Sequence, residues 1–583
     1  MSNWNLDDLY QGFNEKYLKD IETLKEQMLS FQQLVSQMQA MKPVAFLEAY
    51  LTSQEETTKL ARSLSAFASL TMSTDVTNQE ALGYLSKLQQ IYSSVTKENV
   101  MVSRYIATLD LQELSNHSEI IKTYLFQLNE EKESARHLLS EKEEVLYAKL
   151  RPLSSGSWSQ LQGLLTSNLN VKMGDKEITL SEVRNLAYDN DKDIRKNAYE
   201  AELKAYEQID DAVALALSNI KREVTEMNTL RGYDSALEKT LISSRMQKET
   251  LDAMIDAMKD YRQHFERYLK AKATYLGYEN GLPFYELFAP VGKLDKNYTY
   301  EEAKAIVNES FYGFSKRLGD FSTRAFNENW IDVYPKKGKR GGAFCSNQQQ
   351  IKQSRILTNF TGSLSDVSTI AHELGHGYHG DVISDEKPLN WGYPMPLAET
   401  ASIFCETIVT NNLLSKLSND DEILSVLEIA LQGDTQVIID ILSRYFFETK
   451  LFENSTGPIS KNQMKTWMVE AQKEAYLEGL DHENLHPYMW LNKGHYYSAG
   501  LNFYNFPYAF GLLFGKGLYA KYLENKDDFL RNYDKLLMLT GKASVEDVAM
   551  SMGIDVKDKS FWHQSLNEVV KDIDKVISLF QKK

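Results

Sequence analysis

The stretch Ser365-Asp-Val-Ser-Thr-Ile-Ala-His-Glu-Leu-Gly-His-Gly-Tyr-His379 decides how this chain is read. Inside it, His372, Glu373 and His376 spell H-E-x-x-H. On a helix, residues four apart lie one turn above each other on the same face. His372 and His376 can then offer two imidazole nitrogens to one metal ion, with Glu373 beside them in reach of a water at that ion. The flanks agree with a helix. Ser365 or Asp366 can cap its start, Val367, Ile370, Ala371 and Leu374 supply an apolar face, and Gly377 and Gly380 are expected to mark its end.

Two histidines do not complete a catalytic zinc site, which takes three protein ligands and keeps a fourth position open. The metzincin extension is absent, because the places three and six residues after His376 hold His379 and Val382. The third ligand is expected from the next helix. Leu397-Ala-Glu-Thr-Ala-Ser-Ile-Phe-Cys-Glu406 puts Glu399, Ser402 and Glu406 on one face, and a mostly apolar helix with two acids on one face needs partners for them. Glu399 is assigned to the metal, and Glu406 to orienting a ligand imidazole. Asp366 competes for that orienting role, although helix-start chemistry explains it equally well.

Working outward, the residues just before the motif change texture. Lys336-Lys-Gly-Lys-Arg-Gly-Gly342 is a basic, glycine-rich loop without phosphate-loop spacing. Ala343–Cys345 and Arg355–Phe360 read as two short strands, and an edge strand beside a metal site can bind an extended peptide. After the motif, positions 486–515 hold ten aromatic residues in thirty, against about three at the 11 % average of the chain. Most of these rings are packing. A histidine with tyrosine hydroxyls is also what a zinc peptidase needs around the oxyanion of a tetrahedral intermediate.

The rest of the chain reads as helices. Ile21, Leu24, Met28, Phe31, Val35 and Met38 alternate steps of three and four from Tyr17, one buried helix face. Helical patterning continues over Leu60–Leu70 and Asn78–Leu111. Asn168–Leu180 alternates around Gly174-Asp175 as a β-hairpin, helices resume from Ser181 to Arg231, and Leu251, Met254, Ile255 and Met258 share a later face. Thr299 with Glu302 reads as a capping box.

Composition bounds the function. A length of 583 residues with 43 % hydrophobic and 25 % charged residues is globular, and 11 Pro with 29 Gly favours long helices. A formal charge of -16 argues against nucleic acid and against an anionic membrane surface. Cys345 and Cys405 form no C-x-x-C pair, the start has no secretory pattern, and no run of 18 uncharged apolar residues occurs. The expectation is a cytoplasmic protein that spans no membrane.

These motifs resemble the oligoendopeptidase F family, the bacterial branch of the thimet-oligopeptidase-like zinc metallopeptidases. The resemblance is carried by Leu282–Pro290, Gly338–Cys345, Asn359–His376, Glu399–Glu406, and His495 with Phe503–Gly511. It implies a mostly α, zincin-type body with two lobes around a deep channel and a small β-sheet near the active site. It implies an N-terminal helical region over 1–110, an oligopeptidase N-terminal-type domain over 111–200 and a zinc metallopeptidase catalytic domain over 201–583. By position, His372, His376 and Glu399 look like ligands to one Zn2+ and Glu373 like the general base. His495 and Tyr504 or Tyr508 look like contacts to the substrate carbonyl and the oxyanion. The implied activity is endopeptidase cleavage of short peptides. Two rivals stand beside it: a zinc carboxypeptidase on a related helical scaffold, with Arg340 or Arg355 as carboxylate anchor, and a helical peptide-binding protein with a structural zinc.

Overall fold

A computed structural model of the chain describes residues 3–292 and 296–582. It is mostly helical, and its described strands form one two-stranded and one three-stranded sheet. The chain divides into two compact units, each assembled from three segments. One comprises Met1–Lys142, Lys296–Ser415 and Tyr522–Met552; the other comprises Glu143–Asp295, Lys416–Lys521 and Gly553–Lys583.

The first unit begins with the helix Glu15–Gln37, whose Asn14 side chain accepts from the Lys16 and Tyr17 amides. Its buried face is Tyr17, Ile21, Leu24, Met28, Phe31 and Val35, the stripe expected from the sequence. Full burial of one such side chain is worth about 1.5–3 kcal/mol, several times the spread of helix propensities, so packing holds this helix in place. The face meets the helix Pro43–Thr74, where the Tyr17 hydroxyl donates to the Leu64 carbonyl at 3.1 Å. Leu357 of the sheet below joins the same core.

The three-stranded sheet supports the motif. Gln353–Leu357 is central, with Phe344–Gln348 antiparallel on one side and Ile331–Asp332 parallel on the other. The two expected strands are present but shifted, and the short third one was not foreseen. The Thr358 and Phe360 amides still donate to the Asp332 and Val333 carbonyls, each at 2.9 Å, so this stretch pairs as expected beyond the regular strand.

The motif helix runs Leu364–Ile383. Its cap is Ser363, two residues before the expected Ser365: Ser363 Oγ accepts from the Asp366 amide while Asp366 Oδ2 accepts from the Ser363 amide. Val367, Ile370, Ala371 and Leu374 are all buried, as expected. The expected end at Gly377 and Gly380 is corrected, because the helix passes through both. Those glycines admit neighbours instead. A Cβ at Gly377 would lie 2.9 Å from the Phe321 ring, and one at Gly380 would collide with the Asn347 side chain.

The second unit holds the expected hairpin, Asn170–Met173 with Lys176–Thr179, turning at Gly174 with φ +61°. Its helices include Lys192–Tyr206, Asp210–Arg231 and Lys248–Leu276; Leu251, Met254, Ile255 and Met258 of the last are buried. Asp420–Thr435 passes through a π-helical turn, Gln436–Asp440, into Ile441–Glu453. No helix among the described residues is long and apolar enough to cross a membrane.

Candidate metal centre

In the first unit, His372 and His376 project from one face of the motif helix, with ring centroids 4.9 Å apart and planes at 84°. Glu399 reaches them from the following segment. Its Oε2 lies 3.3 Å from His372 Nε2 and 3.4 Å from His376 Nε2. One donor atom from each of the three residues falls within 4.8 Å of the others. Two imidazoles and a carboxylate converging on one point fit a metal ion with a further position left for water.

What brings Glu399 there is a close approach of two helices. A Cβ at Gly375 would sit 2.6 Å from both the Ala401 carbonyl oxygen and the Ser402 Cα. Only glycine lets the backbones come this near. The expected continuous helix through Glu399 is corrected: Met395–Ala398 and Thr400–Lys416 are separate, and Glu399 occupies the corner between them with ψ -2°. The Ser402 hydroxyl donates to Glu399 Oε2 at 2.8 Å, which fixes the carboxylate.

The acids around the triad divide their work. Glu406 Oε2 lies 3.2 Å from His372 Nδ1, and its Oε1 accepts from the Ser368 hydroxyl at 2.9 Å. Holding the proton of His372 on Nδ1 leaves Nε2 for a metal. Asp366 takes no part; its Oδ2 accepts from the Thr361, Gly362 and Ser363 amides, which is helix-start chemistry. Glu373 is 6 % exposed, and its Oε2 has no hydrogen-bond partner among the described residues. Burial pushes its carboxyl up to about 7, with His372 opposing and Glu399 and Glu406 adding to the rise. His379 is a core residue, stacked on Tyr393 at 4.0 Å and bonded to Thr540 Oγ1 at 2.8 Å.

The remaining three residues expected at the site cluster in the second unit. His495 lies in the turn Gly494–Tyr497 and stacks on Tyr504, centroids 5.4 Å apart. The Tyr504 and Tyr508 hydroxyls are 2.7 Å from each other. Asn505 Nδ2 donates to His495 Nε2 at 3.0 Å, and Asn505 Oδ1 accepts from Arg444 Nη1 at 3.1 Å. The guanidinium fixes which way the amide faces, so Nε2 is the acceptor and the His495 proton resides on Nδ1. Arg444 is itself paired with Asp440. Burial, reinforced by the Arg444, Lys221 and Lys493 cations, pushes His495 down to about 3, so it is neutral.

Residues 185–568 match peptidase family M3, and residues 108–170 match oligopeptidase F. The chain belongs to peptidase family M3. It is a metalloendopeptidase acting on peptides, and its reaction uses a catalytic metal. The M3 peptidase is 24 % identical to oligopeptidase PepF of Bacillus subtilis over 568 residues, 95 % of this chain and 83 % of that protein. It is 27 % identical to group B oligopeptidase PepB of Streptococcus agalactiae, over 70 % of each chain. Its fold is that of oligoendopeptidase F from Enterococcus faecium, with a TM-score of 0.73 at 17 % identity over 99 % of this chain and 100 % of that one. PZ peptidase A superposes with the same score at 16 % identity, over 95 % and 97 % of the two chains. The family resemblance and the mostly helical class are thus borne out.

Several residues of the M3 peptidase with structural roles at these clusters escape a reading of the sequence. Gly375 reads as filler within the motif, and its role depends on Ala401, which lies 26 positions further along the chain. Asn347 donates to the His376 carbonyl at 3.0 Å from the neighbouring strand. Asn505 and Arg444 are ordinary polar residues in sequence. The Asp440 and Arg444 spacing of four on a helix was the one signal available.

Proposed function

We propose that this M3 peptidase is a zinc-dependent oligoendopeptidase that cleaves internal bonds of short peptides, with one Zn2+ held by His372, His376 and Glu399. The observation that carries the reading is the convergence of these three donors beside the buried Glu373 carboxylate, whose Oε2 has no hydrogen-bond partner among the described residues. When bound, zinc supplies a Lewis acid that polarises the scissile carbonyl and lowers the pKa of water towards ~7. Glu373 takes the proton of the attacking water and delivers it to the leaving amine, a task suited to a carboxyl raised to about 7. Glu406 and Ser402 keep His372 and Glu399 aimed. Neutral His495, with its Nδ1 proton available, donates to the substrate carbonyl, and Tyr504 or Tyr508 donates to the oxyanion. The outer edge of Phe344–Gln348 offers backbone groups to an extended peptide.

The carboxypeptidase reading loses one of its anchors. Arg355 is buried and committed to Asp8, Gln353 and the Ser354 carbonyl. A structural zinc site would normally carry four protein ligands and has no use for Glu373. Two free cysteines and the acidic composition favour the cytoplasm. The test is Glu373→Gln with an internally quenched peptide library, before and after chelation and zinc return. The variant should bind zinc stoichiometrically while cleavage falls by at least 10²-fold, as expected for a lost general base. Undiminished cleavage would remove Glu373 from this role.

A further inference from the structure

Within the second unit lies a cavity of about 450 Å³, in the size range of small-ligand sites. Its lining combines aromatic rings, Tyr188, Phe284 and Phe288 among them, with the cations Arg184, Arg195 and Lys493 and the single acid Glu202. The charges do not cancel. Arg195 is matched by Glu286 at 2.6 Å and also donates to the Asp189 carbonyl. Arg184 meets Glu202 through Nε at 3.2 Å, and its two terminal amino groups make no hydrogen bond among the described residues. Lys493 lines the same cavity, and its ammonium has no ion pair or hydrogen bond among the described residues. His486, 3 % exposed, also lines it; its Nε2 lies 3.7 Å from Glu202, and its Nδ1 has no hydrogen-bond partner among the described residues.

An unpaired ammonium in a partly desolvated wall is costly, and so is an orphaned buried nitrogen. Burial, with Arg444 and Arg184 adding to it and Asp440 and Glu202 opposing, pushes the Lys493 ammonium down to about 8. One uncompensated positive charge calls for a monoanion; a dianionic phosphate would leave a charge of its own unmatched. Aromatic walls call for an organic body attached to that anion.

We propose that this cavity binds the free C-terminal carboxylate of a peptide, with Lys493 and the outer amino groups of Arg184 on the carboxylate and the terminal side chain against Tyr188, Phe284 and Phe288. This rests on the reading of short peptides as substrates. Lys493 would be a specificity determinant, remote in role from the proton transfers of Glu373.

The experiment compares one quenched peptide in three forms: free acid, C-terminal amide, and amide with an internal glutamate. In the wild-type protein, KM for the acid should be about tenfold or more below that for the amide, the worth of one charge-assisted hydrogen bond. That ratio should fall towards one in Lys493→Met and return in Lys493→Arg. A second measurement needs no turnover: calorimetric titration of the Glu373→Gln protein with N-acetylphenylalanine and with its amide. Tighter binding of the acid, lost in Glu373→Gln/Lys493→Met, supports the site. Equal binding of acid and amide overturns it, and rescue of the amide by an internal glutamate overturns the assignment to the chain end. Should the protein cleave none of the peptides, the peptidase reading fails while the titration still judges the cavity.

Discussion

Replacing Gly375 by alanine tests how the metal centre is assembled. Two effects oppose each other. Alanine in a helix interior is favoured over glycine by about 1 kcal/mol. Against that, the new Cβ would sit 2.6 Å from the Ala401 oxygen and the Ser402 Cα, where ordinary contact begins at 3.4 Å. Both neighbours are backbone, so no flexible side chain can yield, and the helices must part by about 0.8 Å. Overpacking of this kind costs about 1–3 kcal/mol, so the expected net is a loss of up to about 2 kcal/mol. The effect on the metal is larger than the effect on stability. Ligand distances tolerate about ±0.2 Å, and moving the segment that carries Glu399 by several times that should weaken zinc binding about 10–100-fold. Chelator competition would measure the affinity and calorimetry the melting temperature. Gly433→Ala is the control: it lies in the helix Asp420–Thr435 with nothing within 4 Å of its virtual Cβ, so it should stabilise by about 0.5–1 kcal/mol and leave zinc untouched. Wild-type zinc affinity in Gly375→Ala would refute the idea that this approach sets the position of Glu399.

Glu406→Gln removes the charge that holds His372 in its ligating tautomer, so zinc affinity should drop about 10–100-fold by equilibrium dialysis, with the fold intact by circular dichroism. Tyr504→Phe and Tyr508→Phe separate the two hydroxyls that lie 2.7 Å apart: loss of the one that reaches the oxyanion should cost about 10²–10³ in kcat at unchanged zinc content, and loss of the other far less. Asp572 is raised by burial, against Lys516 and with Asp434, from 3.8 to about 6. The folded state then holds this proton more tightly than the unfolded chain, so stability falls as pH rises from about 4 to about 6 and does not recover above it. Asp572→Asn should therefore raise the melting temperature at pH 8, by up to about 3 kcal/mol of stability, and change little at pH 4.

The sequence alone determined the helical class and pointed to the three donors that converge, His372, His376 and Glu399, and the reason is local. A period of 3.6 residues reports a buried helix face wherever it occurs, and the Tyr17–Val35 stripe is buried as read. The spacing of His372 and His376 is likewise a property of one helix, so a single turn suffices to juxtapose the rings. Glu399 was within reach of the same logic because an acid on an apolar helix must find a partner.

Tertiary structure decided everything that depends on which backbones touch. Gly377 and Gly380 look like a helix end until Phe321 and Asn347 are seen filling the space beside them. Glu399 looks helical until it proves to be the corner between two helices. The Asp440, Arg444, Asn505 and His495 chain joins residues up to 65 positions apart, and the Lys493 ammonium gains meaning only from having no partner among the described residues around its cavity. Periodicity encodes contacts along one element, whereas close approach, hydrogen-bond direction and an uncompensated charge are properties of pairs that the chain brings together only on folding.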